Sequence, residues 1–324
     1  MHAKVIGAGV AGLATAIELI EQGATVTVVE RSAEFGQTAC SWLAGGMLAP
    51  FCEGESAPAA VTELGRQAID WWERHASCVR RQGTLVVAPP RDAGEVERFA
   101  SHTHSWQRLD EAGVGTLEPD LAGRFRKGLF FADEGHLDPR VALTALRDQL
   151  IQRGAVIQLG VDGTKSETCA DITIDCRGHS ARGDIPEMRG VRGEMFVVRT
   201  RELKLRRPVR LLHPRIPIYV VPREDHLFMI GATMIESDDG RGVSVRSAIE
   251  LLSAAYALHP AFGEAEIVEM NAGVRPAFAD NQPRVLETGG HIHVNGFFRH
   301  GFLLAPAFAK RAAALAMHKT TGNA

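Results

Sequence analysis

The glycines at Gly7, Gly9 and Gly12 constrain this chain more than any other feature of its sequence. They follow a short apolar run, Ala3–Ile6, and open a segment, Val10–Glu21, in which Leu13, Ala16, Ile17 and Ile20 recur at helical spacing. Gly23 stops that helix, and the β-branched Thr25–Val29 reads as a buried strand. The unit is β-α-β, and Glu30 stands at its far end. Here Gly7 allows a tight turn, Gly9 lets a pyrophosphate reach backbone amides, and Gly12 lets helix and strand pack closely. Glu30 lies near the ~20-residue offset at which an acid accepts hydrogen bonds from ribose hydroxyls. A 2′-phosphate is disfavoured there, although Arg31 leaves room for one. The motif predicts a dinucleotide but does not separate FAD from NAD.

Strand and helix patterns return twice more. Asp138 is a good N-cap with Pro139 at the first helical position, which predicts a helix to about Arg153, then strands at Ala155–Leu159 and Asp171–Asp175. His291–Asn295 reads as a strand, and Pro306–Met317 as an alanine-rich helix with Pro306 in its first turn. Between these segments Thr84–Ala88, Gly128–Ala132, Gly193–Arg199, Ile218–Val221, Leu227–Gly231 and Val268–Gly273 read as strands, several with the alternation of an antiparallel sheet. Ser244–Leu258 is an amphipathic helix. Thr62–Ser77 reads as one helix, on which at most one of Trp71 and Trp72 can face the core. The expected fold is α/β, with a Rossmann-like dinucleotide-binding domain (1–60, 136–183 and 270–324) interleaved with an α+β domain on an antiparallel sheet (61–135 and 184–269).

With 324 residues, 45% hydrophobic, the chain can bury a large core, and its net charge of −3 gives no reason to expect nucleic acid or an anionic membrane. The locally basic Arg199–Arg210 reads as a solvated strand edge, since Glu202 and leucines interrupt it. Five cysteines, Cys40, Cys52, Cys78, Cys169 and Cys176, show no metal-ligand spacing, so buried inert thiols and no metal are expected. No signal-peptide pattern or apolar run of about 20 residues is present, and a cytoplasmic location is the expectation.

Two further stretches narrow the ligand. Thr38–Pro50 is too small and apolar for an ordinary exposed loop; its Gly45 and Gly46 would let backbone reach a flat ring, with soft Met47 against it. A tightly packed turn without ligand is the competing reading. Asn295–Pro306 runs from a strand into a helix, whose N-terminal partial charge would lie beside Arg299–Phe302 and stabilise the negative edge of a reduced flavin. His300 could meet flavin or oxygen, or simply bond to backbone. Arg275, at a strand end in Gly273–Pro276, offers a fork matched to a carboxylate, with a surface salt bridge as its alternative. Tyr219 could donate to the same carboxylate or be a core phenol.

Ser41–Pro50, Gly135–Arg140, Tyr219–Arg223, Gly231–Met234, Gly273–Pro276 and Phe298–Pro306 together resemble the FAD-dependent family of D-amino acid oxidase and sarcosine oxidase. The nearest resemblance is to the glycine oxidases of thiamine biosynthesis, and it spans nearly the whole chain. It implies oxidative deamination of glycine or a similar small amine, giving imine or glyoxylate, ammonia and hydrogen peroxide. D-amino acid or sarcosine oxidation, or dehydrogenation with a quinone acceptor, is the alternative. It implies FAD held by Val10, Ala11, Glu30, Arg31, Cys40, Ser41, Gly45, Gly46 and Met47, with Val161 toward the adenine. Phe297, Phe298, Arg299, His300, Gly301, Phe302 and Leu303 would meet the isoalloxazine. Arg275 would pair with the substrate carboxylate, with Arg299 nearby and Tyr219 assisting. Noncovalent FAD is expected, because no cysteine follows Cys176 where sarcosine oxidases tether their flavin. Handover to a thiazole synthase and a homo-oligomer are further implications. Asp175-Cys176-Arg177-Gly178 departs from the family's small-hydroxyl sequence at that place.

Overall fold

A computed structural model describes residues 1–166 and 168–322. Two large sheets organise it. The first has six strands in the order Arg284–Thr288, His291–Asn295, Ile172–Asp175, His2–Ile6, Thr25–Glu30 and Val156–Leu159. All neighbours run parallel except the hairpin formed by the first two. His2–Ile6 is central, and the chain leaves it toward Thr25–Glu30 on one side while Ile172–Asp175 lies on the other. This is the topological switch point at which open parallel sheets bind ligands, beyond the carboxyl ends of the strands. Helices Val10–Glu21, Pro139–Gln152 and Gly301–Gly322 supply much of its core.

The second sheet has nine strands, with Arg189–Arg199 paired along its full length to Glu266–Ala277 and, on its other side, to Leu227–Gly231. It is antiparallel except where Val209–Leu211 runs parallel to Thr84–Val87. Its far face packs Phe196, Val198, Phe228 and Ile230 against Leu251, Ala255 and Leu258 of the helix Val245–Leu258. The strands of the two sheets alternate along the chain, as the α/β reading with an antiparallel sheet anticipates. Among the described residues no helix is long and apolar enough to cross a membrane.

Several local expectations change. Thr62–Ser77 is two helices, Ala59–Gly65 and Ala68–Ala76, rather than one. Trp71 and Trp72 are both buried, because Ala68–Ala76 has packing partners on two sides. The Trp71 indole donates to Glu18 at 2.6 Å and the Trp72 indole to the Phe302 carbonyl at 2.8 Å. The C-terminal helix begins at Gly301, so Pro306 lies inside it. Proline has no amide for the Phe302 carbonyl, and Trp72 supplies the missing donor. Arg199–Arg210 is not a solvated edge at its end: Arg207 is buried against Glu118, and Arg210 sits on an internal strand, paired with Glu53 at 3.1 Å. All five thiols are free; Cys52 and Cys176 are buried, but Cys169 is exposed.

Candidate active site

The turn after the first strand shows why glycine is needed twice. Gly7 has φ 101°, and a side chain there would come within 2.7 Å of the Cys176 carbonyl oxygen. A side chain at Gly12 would collide with the Gly7 carbonyl oxygen. The helix Val10–Glu21 has no cap from its own N-cap side chain; Ser41, from the loop beyond the second strand, accepts the Val10 amide at 3.2 Å. Glu30 closes the end of its strand, accepting the Ala8 amide at 2.8 Å and the Ser32 amide at 2.9 Å. Each carboxylate oxygen keeps a further lone pair for a hydroxyl donor.

From this turn a continuous cavity of about 1230 Å³ runs to the start of the C-terminal helix. It exceeds the roughly 300–1,000 Å³ of ordinary small-molecule sites. Its walls bring together Gly7, Gly9, Val10, Ala11, Glu30, Arg31, Cys40, Ser41, Gly45, Gly46, Met47, Tyr219, Arg275 and all of Phe297–Leu303. Gly12 and Val161 lie outside the walls. Val161 donates its amide to the Glu30 carbonyl, and the next residues, Asp162 to Thr164, line the cavity instead. A long dinucleotide with a flat ring fits such a space: an open helix N-terminus and an acid at one end, small residues between, and another helix start at the other.

Strand periodicity sets the substrate end. Directly opposed residues on antiparallel strands share a face, and so do alternate residues along one strand. Arg210 opposes Tyr219, Tyr219 opposes Gly231, and Gly231 opposes Met195. Two residues before Met195, Gly193 opposes Gly273, and Val191 opposes Arg275. Arg210, Tyr219 and Arg275 therefore stand on one face of the nine-stranded sheet, and that face is turned to the cavity. The two glycines make room: Tyr219 leans across Gly231 and Arg275 across Gly193, where a side chain would overlap them. Gly45 brings the cofactor-side loop against the Tyr219 ring, at 2.8 Å from where its side chain would begin.

Arg275 donates to the Thr233 carbonyl at 2.9 Å and has no acidic partner among the described residues. The surface salt bridge that competed for it is not formed. Tyr219 makes no hydrogen bond through its hydroxyl among the described residues; burial raises its pKa, and Arg275 offsets part of that rise. Arg299 is engaged elsewhere. Its Nη2 lies 2.7 Å from both the Glu53 carboxylate and the Ser56 hydroxyl. The alignment with Glu53 is poor for a hydrogen bond, leaving that carboxylate oxygen without a true donor.

His300 is buried, its Nδ1 without a partner among the described residues and its Nε2 3.6 Å from Glu53. Neither ring nitrogen bonds to backbone. Burial, with Arg299, Arg210 and Arg275 nearby, lowers its pKa to about 4 against the pull of Glu53, so the imidazole is neutral at pH 7. Burial alone would raise the Glu53 pKa, but Arg299, Arg210 and His300 outweigh it and hold it at about 2. A carboxylate, Glu53, thus shares the cavity with His300 and Arg275, and the sequence marked only the latter two. Glu53 and Arg210 were missed altogether, since no local motif marks a pair 157 residues apart. The unusual Asp175–Gly178 turn also finds a role: Arg177 clamps Asp175 at 2.5 Å and reaches Asp184, fixing the wall opposite Gly7.

The fold and this cavity define a flavin-dependent oxidoreductase, and sequence comparison agrees: residues 3–315 match the FAD dependent oxidoreductase family DAO, to which the chain belongs. It is 56% identical over 310 residues to a thiamine biosynthesis oxidoreductase, ThiO, of Rhizobium etli, covering 95% of this chain and 94% of that protein. The glycine oxidase of Pseudomonas aeruginosa is 25% identical over 94% of this chain and 91% of its own length. The bifunctional ThiO/ThiG of Synechocystis is 28% identical over 94% of this chain, which spans 50% of that protein. The crystal structure of glycine oxidase from Geobacillus kaustophilus superposes with a TM-score of 0.80 at 22% identity, over 98% of this chain and 94% of the other. The protein is a flavin oxidoreductase of the glycine oxidase/ThiO type, and FAD is its cofactor.

Proposed function

We propose that the protein oxidises glycine, or an amine of similar size, to its imine, which water converts to glyoxylate and ammonia while oxygen is reduced to hydrogen peroxide. The observation that carries this reading is Arg275, a guanidinium on the cavity wall with no acidic partner among the described residues. A carboxylate can take both of its outer nitrogens, and Tyr219 stands on the same sheet face to add a donor. Together they orient the α-carbon and amine, which turns binding energy into alignment.

FAD would be held without a covalent bond by Gly7, Gly9, Val10, Ala11, Glu30, Arg31, Cys40, Ser41, Gly45, Gly46 and Met47 at one end and Phe297 to Leu303 at the other, and would supply the hydride acceptor. The neutral amine supplies the electron pair that forms the imine, so no side chain need remove a proton from carbon. His300, kept neutral by burial, adds no positive charge to oppose the imine's cation. Relatives that join ThiO and ThiG in one chain support a role in thiazole formation for thiamine, with the imine or its hydrolysis product passed on.

Arg275→Ala should lose glycine oxidation by ~100-fold or more while the protein stays yellow, and Arg275→Lys should recover little, since an ammonium cannot reproduce the fork. Loss of flavin along with activity would make Arg275 structural. Anaerobic glycine should bleach the wild-type flavin band; an unchanged band with glycine but bleaching by a D-amino acid or N-methylglycine would shift the substrate assignment.

A further inference from the structure

The substrate end of the cavity holds more positive charge than one carboxylate needs. Arg210, Arg275 and Arg299 all reach its wall, and Glu53 stands among them. Its carboxylate takes Arg210 at 3.1 Å and Arg299 at 2.7 Å, one from the large sheet and one from the loop before the C-terminal helix. His300 is 3.6 Å away. The backbone that carries Glu53 is itself pinned, because the Cys52 amide donates to the buried Glu134 at 2.7 Å. Glu53 therefore occupies the place between two guanidinium groups that a second anionic group of a ligand would otherwise take. Of the three arginines, Arg275 alone has no acidic partner among the described residues; it donates only to the Thr233 carbonyl.

On the reading that Arg275 takes the substrate carboxylate, we propose that Glu53 sets specificity: it is a resident anion that fills the second anion position of the cavity and confines the site to amines carrying a single negative charge. Amino-dicarboxylates are excluded in two ways. The arginines they would need are already paired, and the largely enclosed Glu53 charge, its side chain 17% exposed, repels the extra carboxylate where water screens charge less than in bulk. A small monoanion meets neither obstacle. Glu53 here is a positioning and specificity residue, acting through Arg299 and Arg210 rather than on the reacting carbon.

The test is anion binding to the flavin-loaded protein, followed both by the flavin absorption band and by the melting temperature, with acetate as monoanion and malonate as dianion. Wild-type protein should favour acetate. Glu53→Gln keeps shape and acceptor but drops the charge, and should raise malonate affinity relative to acetate by roughly tenfold or more, the scale of one nearby unit charge. Glu53→Asp keeps the charge and should keep the wild-type ratio, which a merely structural role would not predict. If Glu53→Gln fails to fold, Arg299→Gln gives the same information with the opposite sign: removing a cation beside Glu53 should lower the malonate-to-acetate ratio several-fold. Ratios unchanged across these variants, or malonate preferred by the wild type, overturn the inference. Glycine turnover by the wild type is scored separately. Turnover with unchanged ratios sinks only the role of Glu53, and shifted ratios without turnover sink only the proposed reaction.

Discussion

Glu134 shows how one enclosed side chain can set a pH dependence. Its Oε1 accepts the Cys52 amide, and its Oε2 has no donor among the described residues. Burial is the main reason its pKa rises from 4.5 to about 7, against the opposing influence of Thr84, Cys52 and Arg210. The folded state therefore holds this proton more tightly than the unfolded chain. The stability it contributes is complete below about pH 4.5 and is lost as pH climbs through 7. Glu134→Gln retains the acceptor for Cys52 and cannot ionise, so its melting temperature should fall less than the wild type's between pH 5 and 8. Parallel curves would show that Glu134 is charged throughout. Glu53 acts in the other direction. With its pKa held at about 2, its contribution is present above about pH 4.5 and fails only in strong acid, so the two carboxyls separate on the pH axis. Neither was visible in the sequence, because burial and remote arginines, rather than neighbours in the chain, decide their charge.

At the scale of elements, the tryptophan–proline contact between two helices carries a testable energy. Pro306 leaves the Phe302 carbonyl without its helical donor, and Trp72 fills the vacancy from 230 residues away. Trp72→Phe removes that donor from a fully buried position and should cost about 1–3 kcal/mol for the unpaired carbonyl, beyond any packing loss. In a Pro306→Ala background the restored amide at 306 can serve the same carbonyl, so the same change should cost less, and a double-mutant cycle by chemical denaturation measures the difference. Strict additivity would mean that the hydrogen bond contributes nothing. This contact also explains where sequence reading failed. A proline is expected in a helix's first turn, so Pro306 marked a start that the helix places five residues earlier, at Gly301. The β-α-β unit at the N-terminus was legible because turn, helix and acid lie within Ala3–Glu30, where period and glycine spacing suffice. Arg275 and Tyr219 were singled out in the sequence one at a time; the face they share depends on strand register across three successive pairings, which no local pattern encodes.

The whole molecule is held around its cavity as much as around its cores. The walls draw on the carboxyl ends of the parallel sheet, on one face of the large sheet, and on the two segments 37–49 and 294–303 that lie between them. Leu43 and Met47 of the first segment, with Tyr219, pack against the large-sheet cluster of Met195, Val197, Val221 and Met229, while Phe302 and Leu303 of the second join the core of the parallel sheet. A cofactor spanning this space touches both halves, and anything that binds only the folded state adds stability in proportion to the logarithm of its concentration, about 2.7 kcal/mol at a hundredfold excess over Kd. Protein stripped of FAD should therefore melt lower and regain its melting temperature progressively as FAD is added back. Hydrogen exchange should locate the change: amides of 37–49 and 294–303 should lose protection first on stripping, while the central strand His2–Ile6, buried between parallel neighbours, should hold. Uniform loss across both sheets would mean that the cofactor is required for folding as a whole, and a melting temperature indifferent to FAD would mean that the cavity is already rigid without it.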